Sequence, residues 1–405
     1  MTSPVRVRGN GFFQGTLAHS NEFDSARIFD TTLRDGEQTP RTSFDYDDKR
    51  EIAAVLDEMG VHVIETGFPA NGPDEFEAVS DIAAATDTTT CGLARVVESD
   101  VDAAIDSGVD MIHVFASTSD VQIEDSMHAT REEVVDRSVD AVQQARDAGV
   151  EVMFSPMDAT RTDPDYLAEV LEAVDEVGVD WVNVPDTCGV ATPTRYMELI
   201  EFVTEHTDAR VDVHTHDDFG MATANAVSGF VAGASQAQVS VNGIGERAGN
   251  AAFEEVVMAV ESVHGVDTGI DTTRIAELSR MIAEKSGVPI PSNKPVVGDN
   301  AFSHESGIHA AGVIENAETF EPGVMTPEMI GAERSIVLGK HTGTHAVREH
   351  LEDAGYAPTD DEVRAVTKRV KSYAAGKEAV TPEKLAAFAA EVGVEEARER
   401  TEVRT

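Results

Sequence analysis

His214-Thr215-His216-Asp217-Asp218 closes an apolar, strand-like run, and Asp30-Thr31-Thr32-Leu33-Arg34-Asp35-Gly36-Glu37 closes another near the start of the chain. Residues two apart in a strand point the same way, so His214 and His216 can share one metal ion. Asp35 is a hard oxygen ligand that completes the set, and Mg²⁺, Mn²⁺, Zn²⁺ or Co²⁺ suits two imidazoles and a carboxylate. Arg34, beside it, can hold developing negative charge. Together these residues predict metal-assisted chemistry at a carbonyl. In Gly243-Ile244-Gly245-Glu246-Arg247-Ala248-Gly249-Asn250 the glycines read either as a phosphate nest or as a close backbone approach to a ligand. Glu246 is expected to pair with Arg34, and Asn250 to offer a carbonyl oxygen near the metal. Asp217 and Asp218 read either as groups that orient the imidazoles or as a solvated turn. Ser303-His304-Glu305-Ser306-Gly307-Ile308-His309 reads either as surface polarity or as the source of a general base that titrates near working pH. Leu338-Gly339-Lys340-His341-Thr342-Gly343 suggests phosphate or nucleotide contact.

Positioning these groups requires strands. Eight apolar β-type runs, near 26–34, 61–68, 88–96, 110–117, 150–156, 180–186, 210–216 and 236–242, alternate with segments of helical period. Asp45 reads as a helix N-cap, and Gly60, Gly108, Gly149 and Gly178 sit where helices should stop. Eight strand–helix repeats predict an α/β fold, a parallel (β/α)₈ TIM barrel, over a doubly wound open sheet. Chemically capable residues recur at the strand ends, where barrel sites lie: Arg34-Asp35, Glu65, Arg95, His113, Ser155, Asn183 to Thr187, His214 to His216 and Asn242. The expected organisation is an N-terminal arm over 1–25 and a barrel over 26–265. A linker and covering subdomain follows over 266–345, and a C-terminal helical extension over 346–405.

The formal charge is −44, from 75 acidic and 31 basic residues. The acidic residues are interspersed with periodic apolar ones, which argues against a disordered tail and for a halophile's cytoplasmic protein whose self-repulsion is screened by molar salt. Such charge excludes nucleic acid as a partner, since phosphate binding needs a basic patch. Two cysteines give no disulfide framework. No apolar run approaches a membrane span, and no signal peptide is evident.

Three segments, 30–38, 214–225 and 242–250, resemble the DRE-TIM metallolyase superfamily, and within it the Claisen-condensing branch of 2-isopropylmalate, citramalate and homocitrate synthases. Asn183-Val184-Pro185-Asp186-Thr187 and Ile64-Glu65-Thr66-Gly67-Phe68-Pro69 resemble the isopropylmalate-type members most. The resemblance implies that Asp35, His214, His216 and Asn250 hold a divalent metal, Mg²⁺ or Mn²⁺ first among the candidates. It implies that Arg34 stabilises an alkoxide, Thr187 binds the 2-oxoacid carboxylate, and His113, Ser155 and Asn183 line the substrate pocket. His309 would help take a proton from acetyl-CoA, the co-substrate. A homodimer is implied as well, and a leucine-binding regulatory domain is not expected. Two positions depart from the family pattern: Met157 stands for a carboxylate, and Met153 for a commonly charged residue. The alternatives are citramalate or homocitrate synthesis, a retro-aldol acyl-CoA lyase, or a non-catalytic acyl-CoA sensor.

Overall fold

The computed structural model describes residues 22–305, 325–376 and 380–397. The chain divides into two compact units, Met1–Ile290 and Pro291–Thr405. In the first, eight parallel strands close into a barrel. They are β1 (Arg27–Asp30), β2 (Val63–Gly67), β3 (Thr89–Arg95), β4 (Met111–Ser117), β5 (Glu151–Met157), β6 (Trp181–Asp186), β7 (Arg210–Thr215) and β8 (Gln236–Val239). β8 pairs with β1 from Gln236 opposite Arg27 to Val239 opposite Asp30, which closes the ring. Crossover helices between the strands complete the α/β layering expected from the period switches.

Local chemistry sets the boundaries. Asp45 caps the helix Tyr46–Glu58 through a capping box with Asp48. Gly60, Gly108, Gly149 and Gly178 all take positive φ just past helices, as expected for C-terminal stops. Two strands are shorter than the apolar runs suggested. β1 ends at Asp30 because its carboxylate takes the Thr32 amide and hydroxyl and turns the chain. Arg34 and Asp35 therefore stand in a turn rather than in a strand. β8 ends at Val239, and Asn242 enters the left-handed region at φ 62. Its side chain is bonded to Ser279 of the helix Ile275–Ser286, so it serves packing rather than the barrel mouth.

Alternation in the strands stacks the barrel in layers. Phe29, Val63, Cys91, Met111, Met153 and Trp181 form one buried apolar cluster. Two residues further along the same strands come Glu65, Leu93, His113, Ser155 and Asn183, all buried. Two more bring Phe115, Met157 and Pro185. The apolar layer is thus a floor, and the polar layer above it faces the C-terminal mouth.

The second unit pairs two short strands, Ser303–His304 and Ser335–Ile336. Three helices follow, Thr344–Asp353, Asp360–Ala374 and Pro382–Val392. They bury Val347, Leu351, Val366, Val370, Leu385 and Phe388 against one another. These helices make up the C-terminal helical extension expected from the sequence.

Candidate active site

The C-terminal mouth of the barrel holds a cleft of about 210 Å³ lined by Arg34, Asp35, His113, Ser155, Asn183, Thr187, His214, His216, Glu246 and others. Ten of the eleven residues singled out from the sequence thus have a described place: nine line this cleft, and Asn250 bonds to Asp35 beside it. His309 lies outside the described residues.

On one side of the cleft are β1, β7 and β8. One ligand atom from each of Asp35, His214 and His216 lies within 4.8 Å of the others, and all three residues are buried. The Nε2 atoms of the two imidazoles face each other at 3.2 Å. His214 donates Nδ1–H to Gln238 Oε1 at 2.9 Å, so the Nε2 of the neutral ring carries a lone pair. Burial, then the neighbouring His216, pushes the pKa of His214 down to about 3, and burial lowers that of His216 too. Neutral rings with converging lone pairs are what a cation needs. Burial works against the Asp35 charge, but Arg34 and then the imidazoles outweigh it and hold its pKa below the ordinary carboxylate value. Asn250 donates Nδ2–H to Asp35 Oδ2 at 2.6 Å, while its buried Oδ1 has no hydrogen-bond partner. With His216 in its Nδ1–H tautomer, two facing Nε2 atoms, a carboxylate and an orphaned amide oxygen fit a divalent cation, with Asn250 Oδ1 as the fourth donor.

One expectation is corrected here, and one open alternative is decided. Arg34 does not pair with Glu246: its Nε reaches Glu65 Oε2 at 2.7 Å and its Nη1 reaches Asp35 Oδ1 at 2.6 Å. Glu246 is exposed at the rim, whereas Glu65 is fully buried one strand away and needs a cation to compensate it. Nor do Asp217 and Asp218 orient the imidazoles. Asp217 accepts from the Ala222 amide at the start of the next helix, and Asp218 pairs with Arg247. Gln238 does the orienting for His214.

Across the cleft runs a buried hydrogen-bonded chain. Glu65 accepts from Thr31 Oγ1 at 2.6 Å and meets His113 Nδ1 at 2.8 Å. His113 Nε2 lies 2.6 Å from Ser155 Oγ, whose hydroxyl donates to Asn183 Oδ1 at 2.6 Å. Asn183 in turn donates to Asp212 Oδ2 at 2.6 Å. Burial works against the Glu65 charge, but Arg34, His113 and Thr31 outweigh it, and its pKa is lowered. Gln238 was not read from the sequence, and Glu65 was read only as a strand-end residue with no role assigned. Their signal was a charged or amide side chain at an inward, alternate position of a buried strand.

Above this chain Leu93, Phe115, Met157 and Pro185 give the β3–β6 sector an apolar wall. Thr187 closes it: its Oγ1 accepts from the Asp158 amide at 2.9 Å, which leaves the hydroxyl proton to donate. In the second unit, the Gly339 amide is taken by Thr342 Oγ1 and the His341 amide by Glu305 Oε1, so the suspected phosphate loop spends these donors internally.

The HMGL-like family model matches residues 25–282, nearly the whole barrel unit. The chain belongs to the HMGL-like family. A second model, described as homocitrate synthase post-HMGL domain-like, matches residues 296–378. The chain is 50% identical to a probable 2-isopropylmalate synthase of Methanosarcina mazei over 366 residues, 90% of this chain and 71% of that one. It is 46% identical to the 2-isopropylmalate synthase of Sulfolobus acidocaldarius over 371 residues, 90% of this chain and 95% of that one. Among solved structures, the HMGL-like barrel recurs in hydroxymethylglutaryl-CoA lyase from Pseudomonas aeruginosa, with a TM-score of 0.59 and 25% identity over 66% of this chain and 95% of that chain.

Proposed function

We propose that this chain is a 2-isopropylmalate synthase, which condenses acetyl-CoA with 3-methyl-2-oxobutanoate and hydrolyses the thioester to give 2-isopropylmalate and CoA, a step of leucine biosynthesis. The observation that carries the reading is one cleft with two walls: Asp35, His214 and His216 converge beside Arg34 on one, and Leu93, Phe115, Met157 and Pro185 form the other. The archaeal relatives named for this activity support it.

Asp35, His214, His216 and Asn250 Oδ1 would hold a divalent cation, with Mg²⁺ or Mn²⁺ ahead of Zn²⁺ or Co²⁺. The chemistry such a cation supplies when bound is Lewis-acid polarisation of the ketone. Thr187 donates its free hydroxyl proton to the substrate carboxylate. Arg34 is locked by Glu65 and Asp35 through Nε and Nη1, and it directs its remaining N–H groups at the oxygen on which charge develops. His309 takes the proton from the methyl group of acetyl-CoA. The isopropyl group packs on the apolar wall. That wall contains no cation among the described residues, so it offers nothing to a second carboxylate. This disfavours 2-oxoglutarate and homocitrate synthesis.

A homodimer, a cytoplasmic setting and adaptation to high salt complete the proposal. No helix among the described residues is long and apolar enough to cross a membrane. The test is thiol release from acetyl-CoA in molar KCl with Mn²⁺ and each of three 2-oxoacids in parallel. Preference for 3-methyl-2-oxobutanoate is expected. Preference for pyruvate would move the assignment to citramalate synthesis, and no release with any of them would overturn it.

A further inference from the structure

Two non-glycine residues in the left-handed region, the buried Asp158 at φ 70 and Arg247 at the cleft at φ 55, both bond to Thr187. Asp158 donates its amide to the Thr187 hydroxyl oxygen, as described above. Arg247 donates Nη2–H to the Thr187 carbonyl at 2.7 Å. The same guanidinium grips Asp218 with two bonds, Nε to Oδ1 at 2.9 Å and Nη2 to Oδ2 at 2.8 Å. The loops after β5, β6, β7 and β8 are thereby tied at one residue. Backbone held in sparsely populated conformations clusters where surrounding contacts serve a site. The approach is close: a Cβ on Gly189 would lie 2.6 Å from Asp218 Oδ2 and 2.8 Å from the His216 carbonyl, so glycine lets the segments after β6 and β7 meet here.

We propose that Arg247 is a positioning residue: anchored by Asp218, it holds the Thr187 backbone so that the Thr187 hydroxyl meets the 2-oxoacid carboxylate. The inference rests on the functional reading above, since it takes Thr187 as the carboxylate donor. A fork of five N–H groups can grip a carboxylate bidentately and still reach a carbonyl. A lysine can make one of those contacts well but not all three. Arg247 acts on 2-oxoacid binding through Thr187, although it lines the same cleft and its charge also reaches His216.

The test compares wild type, Arg247→Ala, Arg247→Lys and Asp218→Asn by thiol release in molar KCl with Mn²⁺, and by calorimetric binding of 3-methyl-2-oxobutanoate to the Mn²⁺-loaded proteins. Arg247→Ala is expected to raise KM and Kd for the 2-oxoacid about tenfold, the scale of one charge-assisted bond, with KM for acetyl-CoA unchanged. Arg247→Lys should recover part of this. Asp218→Asn should move the same constants in the same direction, and it serves as the probe if Arg247→Ala fails to fold. Unchanged 2-oxoacid constants, or a change confined to acetyl-CoA, would overturn the inference. A wild type inert towards every 2-oxoacid would instead overturn the functional reading, and the calorimetric comparison would then decide the role of Arg247 alone.

Discussion

Glu65→Gln is the perturbation with the most to say about this site. The carboxylate is fully buried and accepts from Thr31 Oγ1 at 2.6 Å and Arg34 Nε at 2.7 Å, with His113 Nδ1 at 2.8 Å. Glutamine has the same shape but one acceptor oxygen and no charge. His113 can change tautomer to accept from the new amide, so the lost quantity is mainly the charge that compensates Arg34. Breaking a buried ion pair costs roughly 3–5 kcal/mol. Asp35 still sits 2.6 Å from Arg34 and retains part of the compensation, which puts the expected stability loss near the lower figure, about 3 kcal/mol. A guanidinium held on one side only is also a poorer oxyanion donor, for which about a hundredfold in kcat, or about 2.7 kcal/mol, is the scale. Thiol-release kinetics and denaturant unfolding in the same KCl buffer measure both. A variant with kcat within about threefold of wild type and unchanged unfolding would refute the idea that Glu65 positions Arg34.

Three further outcomes are expected. The pKa of His214 is driven down to about 3, and those of His216 and Asp35 are also lowered. Protons therefore compete poorly for the cluster: the acid-side fall in calorimetric Mn²⁺ affinity should come below the ordinary imidazole pKa of about 6.5, and a steep fall centred there would contradict this. Burial, with Glu65 and Glu254 nearby, pushes Asp30 up to about 7. A carboxyl raised in the folded state contributes stability that is complete below its unfolded pKa and is lost as pH rises through about 7. Asp30→Asn should therefore flatten the fall in stability between about pH 4 and pH 7, by up to about 1.4 kcal/mol per pH unit, and an unchanged slope would count against it. Finally, a net charge of −44 predicts a melting temperature that rises strongly with KCl up to molar levels, and full stability in dilute buffer would contradict the salt adaptation.

Most of the barrel was legible because buried parallel strands are continuous apolar runs, and capping and stop residues mark the helices between them. The convergence of the two imidazoles was legible as well, since period two alone puts His214 and His216 on one face. What the sequence hid were choices among equally spaced partners. Glu246 and Glu65 are both acidic and both reach the barrel mouth, but only the closure of β1 beside β2 puts Glu65 against Arg34. The Asp217-Asp218 pair likewise sits next to the imidazoles in the chain, yet its side chains are drawn to a helix start and to Arg247. The short β1 and β8 were hidden by side-chain bonds to the backbone at Thr32 and to Ser279, which apolar periodicity does not register.

The proposed condensation requires a cation held by Asp35, His214 and His216. The direct measurement is thiol release with acetyl-CoA and 3-methyl-2-oxobutanoate as Mn²⁺ is titrated into chelator-stripped protein. Activity should be absent at the start and rise to a plateau at one ion per chain, and His216→Ala should abolish both the binding and the rise. Full activity in the stripped protein, or a rise that survives in His216→Ala, would show that the condensation does not depend on a cation at these residues.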